Sequence, residues 1–104
     1  MVTKEKVEQI INQIKETIRP DAIYLFGSYV AGKITPQSDL DICIIKNNVK
    51  NRQQTLFKIK KNLFEIEIPL DILLLNSSSL KKRGGIWGTV QYEIVHKGKK
   101  VYEK

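Results

Sequence analysis

The chain has 104 residues, 41% of them hydrophobic and 28% charged, which fits one domain (residues 1–104) with a real core and excludes separate catalytic and ligand-binding halves. A net charge of +7 favours acidic partners, nucleic acid or polyphosphate substrates without choosing among them. Cys43 is the only cysteine, so no intramolecular disulfide forms; with neither an apolar signal core in "MVTKEKVEQI" nor a run of about 18 apolar residues, no membrane partner is expected and the cytoplasm is the expected location.

From Thr3 to about Ile18, Val7, Ile10, Ile11, Ile14 and Ile18 recur at helical spacing, and Pro20 closes this amphipathic helix. "AIYLF", residues 22–26, is a short apolar and aromatic run ending at Gly27, which predicts a buried strand. "SYVAG" predicts one or two helical turns capped by Ser28, and "KITPQS" predicts loop. "DLDICII", residues 39–45, is a second strand, in which Cys43 reads as a small buried hydrophobe.

Between Lys50 and Phe64, Leu56, Ile59 and Leu63 keep helical spacing while Lys50, Arg52, Lys58, Lys60 and Lys61 form a basic outer face. No aromatic platform interleaves with them, so a solvated face is preferred to a nucleic-acid groove. "PLDILLL", residues 69–75, is a third strand with Pro69 at its first position. "NSSS" offers N-caps to the helix that follows, and Gly84 and Gly85 break it. Ile86, Val90 and Ile94 then predict a helix ending at Gly98, with "KVYE" as a short edge strand. Trp87 and Tyr92 read as core or interface, and His96 suits a helix C-terminus better than a catalytic role. The order predicts an α/β (α+β) fold, a small mixed sheet flanked by helices.

The stretch "LFGSYVAGKITPQSDLD", residues 25–41, carries the chemistry. Read from Gly27 it nearly spells a P-loop, but Ile34 stands where the magnesium-binding Ser or Thr belongs, and Pro36 follows where a long helix belongs. Read to its end it is Gly27-Ser28, ten residues, then Asp39-x-Asp41. Positions i and i+2 of a strand project from one face, roughly 6–7 Å apart. Asp39 and Asp41 thus point together, while Leu40 and Ile42 point away. Asp71 stands alone among Leu and Ile, where an acid is costly unless paired, and reads as buried. If the two strands are neighbours, three carboxylates share one volume and call for hard cations, magnesium or manganese. Two such ions about 3.5–4 Å apart are the standard clamp for in-line attack on phosphorus. Gly27 allows close backbone approach, and N–H groups with the Ser28 hydroxyl suit anionic oxygens. The chemistry that fits is nucleotidyl transfer.

This combination resembles the polymerase β-like nucleotidyltransferase superfamily, whose signature is Gly-Ser, a spacer, Asp-x-Asp and a third acid on a later strand. In size and wording it looks most like the minimal nucleotidyltransferase (MNT) family, along nearly the whole chain. The resemblance implies the polymerase β-like fold, Gly27 and Ser28 as the triphosphate-binding pair, and two Mg2+ ions, with Mn2+ as the substitute. Asp39 and Asp41 would be ligands of both metals, and Asp71 the ligand of the catalytic metal and activator of the acceptor. It further implies AMP transfer from ATP to a tyrosine hydroxyl of a HEPN-domain ribonuclease toxin, with which this chain would form a hetero-oligomer as antitoxin. The alternatives are transfer to a small molecule or RNA, and a non-catalytic antitoxin acting by contact. Many relatives have an arginine in this loop, as in "GSYARG", where this chain reads "GSYVAG". Lys33 offers a positive charge nearby but not a bidentate contact.

Overall fold

The computed structural model describes residues 2–104. The first apolar repeat forms α1 (Lys4–Ile18), whose N-cap Thr3 accepts from the Lys6 N–H. Arg19 closes it in the left-handed region at φ 51, donating its N–H to the Lys15 carbonyl, and Pro20 follows. The next apolar runs form β1 (Ala22–Phe26) and β2 (Leu40–Ile45), so the second strand starts after Asp39 rather than on it. The basic segment forms α2 (Arg52–Leu63), capped by Asn51 and extended by a 3-10 turn, Phe64–Ile66. β3 (Leu70–Leu75) leads into α3 (Ser77–Arg83), where Asn76 is the N-cap.

The helix expected from Ile86 instead begins at Val90 as α4 (Val90–Lys97). Thr89 caps it, accepting from the Tyr92 N–H, and Gly88 at φ 93 turns the chain just before, so Ile86 and Trp87 stay in the connecting turn. Gly98 ends α4 as expected, donating to the Ile94 carbonyl, and the last segment forms β4 (Lys99–Glu103).

The four strands pair in the order β3-β2-β1-β4. β1 runs antiparallel to both β2 and β4, with a bulge against β4 between Ile23 and Tyr24, while β2 and β3 run parallel. Parallel neighbours need a crossover, and α2 supplies it. Alternation sends Ile23, Leu25, Leu40, Ile42, Ile44 and Leu74 to one face, where they pack with Val7, Ile10 and Ile14 of α1 and Ile59 and Leu63 of α2. The other face receives Ala22, Cys43 and Ile45, packed with Ile94 of α4 and flanked by Leu73, Leu75 and Leu80. Cys43 is wholly buried, and burial pushes its thiol up to about 12, so it behaves as the hydrophobe expected.

The central strand β2 is apolar on both faces because helices cover both along most of its length. Ile44 has no exposed surface. Ile44→Ala is expected to lower the unfolding free energy by about 2–5 kcal/mol in a urea titration, with an unchanged slope. Val95→Ala, at a residue 46% exposed, is expected to change it by less than about 0.5 kcal/mol.

Candidate active site

The site is built where β1 ends. Gly27 leaves the strand at φ 74, and Gly32 returns at φ 73. Between these two left-handed positions the chain makes consecutive turns and not the expected Ser28-capped helix, because the interval is too short to propagate one. The turns are closed by Ala31 N–H to the Gly27 carbonyl at 3.1 Å and by Lys33 N–H to the Ser28 carbonyl at 2.9 Å. A second turn follows, where the Thr35 N–H donates to the Ser38 hydroxyl at 3.0 Å. Among the described residues the Ser28 hydroxyl makes no hydrogen bond to protein, which leaves it free to meet a ligand.

β2 then carries Asp41 into the middle of the sheet's open end. In register, Asp41 stands between Phe26 of β1 and Asp71 of β3. Cross-strand partners share a face, so the two carboxylates project together, on the side where α3 and α4 pack. The apolar cluster those helices form takes in Cys43, Ile45, Leu73 and Leu75, and the acids lie beyond it. Asp41 is half-buried. Asp71 is exposed, contrary to the burial expected from its Leu and Ile neighbours, since no helix covers the start of β3 on this face. Asp39 is exposed in the loop immediately before β2, on the same side as Asp41 by alternation.

Asp41 feels both of the other acids. Partial burial raises the Asp41 carboxyl above its ordinary value, followed by the charge of Asp71, a hydrogen bond shared with Asp71, and the charge of Asp39. No Lys or Arg forms an ion pair with any of the three among the described residues. The site therefore holds negative charge without a protein counter-ion, and its donors are all hard oxygens, the set that magnesium or manganese takes. Among the described residues no group of three or more acids, His or Cys is drawn in closely enough to hold a metal ion unaided. Asp41 and Asp71 are the close pair, and Asp39 approaches from the loop.

Gly27 has a second role that spacing alone did not reveal. A Cβ at this position would collide with Oδ2 of Asp41, so the carboxylate lies directly over the glycine backbone. Gly27 is thus the seat of Asp41 as well as the start of the turn. Phe26, beside Asp41 on the same face, is a further neighbour of the site that the motif does not name.

Other candidate features lie elsewhere. A cavity of about 620 Å³ is lined by Ala22, Tyr24, Ile45, Leu80, Val95 and His96, at the end of β1 and β2 opposite Phe26 and Asp41. His96 lies in the last turn of α4, its ring 4.1 Å from that of Tyr92 and apart from the acids. Trp87 is 83% exposed, which removes the core reading. Lys58, Lys60 and Lys61 are exposed on α2, as expected of a solvated face, and no helix is long and apolar enough to cross a membrane.

The chain belongs to the family described as polymerase beta, nucleotidyltransferase, whose model matches residues 8–104. No curated protein matches it. Among solved structures it is similar to a toxin-antitoxin with AMP-PNP, at 21% identity and TM-score 0.64, covering 99% of this chain and 75% of that one. It is also similar to the toxin-antitoxin MntA-HpeT in a variant with two Asp-to-Glu exchanges, at 21% identity and TM-score 0.68, covering 93% and 73%. A nucleotidyltransferase structure from Sulfolobus solfataricus is similar at 17% identity and TM-score 0.61, covering 96% and 79%. At these identities the structures establish the shared fold, a four-stranded mixed sheet with four helices.

Two measurements test the geometry. Gly27→Ala and Gly32→Ala both force a left-handed alanine, at a cost of about 1–2 kcal/mol. Only Gly27→Ala also displaces a carboxylate, since nothing lies within 4 Å of a Cβ at Gly32. Both variants are expected to lose stability, and only the first to weaken Mn2+ binding measured by calorimetry. The raised Asp41 carboxyl means that folding favours its protonated form. That contribution is complete below the ordinary value of 3.8 and is lost as the pH rises through the raised value. Asp41→Asn is therefore expected to melt above wild type near pH 7 without divalent ions, the difference closing below pH 3.8.

Proposed function

We propose that this nucleotidyltransferase transfers AMP from ATP, with divalent metal ions, to a tyrosine hydroxyl of a cognate HEPN-domain ribonuclease toxin. It would act as the antitoxin of that protein in a hetero-oligomer, with residues 1–104 as one catalytic domain. The observation that carries the reading is the parallel register that sets Asp41 beside Asp71, above the Gly27 turn.

In this reading Gly27, Ser28 and the backbone of their turn receive the triphosphate of ATP. Lys33, whose N–H is bonded to the Ser28 carbonyl, adds positive charge near it. Asp39, Asp41 and Asp71 would hold two Mg2+ ions, or Mn2+ in their place, which would neutralise the phosphates and lower the pKa of the acceptor hydroxyl. Asp71 takes the proton of that hydroxyl. The tyrosine oxygen forms the new bond to the α-phosphorus as the bond from that phosphorus to the oxygen bridging to the β-phosphate breaks, and pyrophosphate leaves. ATP and protein thus give AMP-protein and diphosphate.

A protein acceptor is supported by the likeness to toxin-antitoxin structures, one of them with AMP-PNP. It is supported too by the openness of the site, where exposed Asp39 and Asp71 leave room for a large substrate. A purely contact-based antitoxin is disfavoured by the repulsion among three carboxylates, which an unused site would hold at a cost in stability.

The test is co-expression with the product of the neighbouring gene, followed by incubation with ATP and Mg2+ and intact-mass analysis of that protein. Addition of AMP groups is expected, abolished by EDTA and restored by Mn2+. Asp39→Ala, Asp41→Ala and Asp71→Ala are each expected to slow transfer at least roughly 100-fold, about 2.7 kcal/mol of barrier. If wild type leaves the neighbour unmodified and yet neutralises it, the reading fails.

A further inference from the structure

The two edges of the sheet are unequal. β4 carries Lys99, Lys100 and Glu103, the kind of charged surface that discourages another strand from pairing. β3 reads Leu70-Asp71-Ile72-Leu73-Leu74-Leu75, with one charge, and no strand pairs with its outer side among the described residues. Its ladder to β2 fixes which groups face outward. The Leu40 N–H donates to the Pro69 carbonyl and the Lys46 N–H to the Leu75 carbonyl, both at 2.9 Å. In a parallel pair alternate residues turn their groups to the same neighbour, so Leu70, Ile72 and Leu74 present theirs to solvent. The Arg52 guanidinium takes the Leu74 carbonyl, which leaves Leu70 and Ile72 open.

Beside this stretch lies a groove of about 310 Å³ lined by Lys60, Leu63, Phe64, Ile68, Leu70 and Ile72. Phe64, which opens the 3-10 turn after α2, is 82% exposed, and Phe57, within α2, is 67% exposed. An open pair of backbone rungs with an apolar slot alongside is the arrangement that captures an extended peptide by strand addition.

We infer that the outer edge of β3 at Leu70–Ile72 receives an extended, acidic and apolar segment of the partner protein, and that this pairing delivers the acceptor side chain to Asp71. The inference rests on the transfer reading above. Charge selects the occupant: α2 carries Arg52, Lys58, Lys60 and Lys61 and no acid, so the part of the segment that lies along α2, away from Asp71 and from the exposed Glu65 and Glu67, gains from acidic residues. A second copy of this chain would oppose these lysines to themselves. Strand pairing also fixes where the guest side chains go. A residue paired across from Asp71 projects on the face of Asp71, with its Cβ about 4.5–5.5 Å away, so a long hydroxyl-bearing side chain reaches the carboxylates. Its two neighbours project to the other face, where the groove takes an apolar side chain.

The complex with the neighbouring gene's product, purified after co-expression, provides the test. In hydrogen exchange the Ile72 amide is expected to slow on complex formation by at least tenfold, while Leu73, already in the ladder, does not change. Phe64→Glu and Phe57→Glu are expected to raise the KM for the partner at least tenfold while leaving the Mg-ATP dissociation constant and the melting temperature of the free chain within error. Phe64→Glu alters a side chain so exposed that misfolding is not at issue. Full partner affinity without protection at Ile72 overturns the inference. So does protection that appears in the free chain as its concentration rises, which would mark a second copy. A chain that binds the partner with protection at Ile72 but never transfers AMP leaves the docking edge standing and removes the transfer reading instead.

Discussion

The parallel contact between β2 and β3 sets two carboxylates side by side, and most of the molecule is arranged to tolerate or use that repulsion. Parallel pairing demands a crossover, so α2 exists where it does. The crossover buries one face of both strands, so the acids are confined to the other. On that other face the helices α3 and α4 pack on Cys43, Ile45, Leu73 and Leu75 and leave the acid-bearing ends in water. Were the same helices to cover the acids, desolvation would disfavour their charged forms. The fold keeps Asp41 part-buried and Asp71 exposed, a compromise between positioning and charge.

The turn at Gly27 is coupled to that contact through space. A residue with no side chain, in the left-handed region, gives the Asp41 carboxylate its resting place and starts the connection that brings Asp39 back to the sheet. The Gly27 end and the acidic end of the 27–39 connection therefore touch, and are not two motifs joined by a tether.

Much of this was readable from residue order. The apolar run and its terminal glycine place β1 at Ala22–Phe26, and the Gly-Ser and Asp-x-Asp pair points to nucleotidyl transfer. What misled was local. Ser28 looks like an N-cap, but two left-handed glycines leave no room for a helix. Ile86 matches a helical repeat, but Thr89 offers the better cap and Gly88 the break. Asp71 looks buried because its neighbours in sequence are apolar, whereas exposure depends on where α3 and α4 end, a tertiary fact that no window contains. The contact between Gly27 and Asp41 spans two strands and was likewise out of reach of spacing.

β1 lies inside the sheet although it is the first strand made, because β4, the last element described, pairs with its far side. Ala22 meets Glu103 across nearly the whole chain, and the Lys104 N–H closes on the Asp21 carbonyl at 2.9 Å. Such a pairing closes a long loop and costs entropy that local contacts do not repay, so it belongs to the slow part of folding. β1, β2, α2 and β3 pair over shorter separations and can set the acids together first, while one backbone edge of β1 waits unpaired. Until β4 docks, that edge is open to rival strands, which makes the five residues of β4 the guard of the sheet during folding.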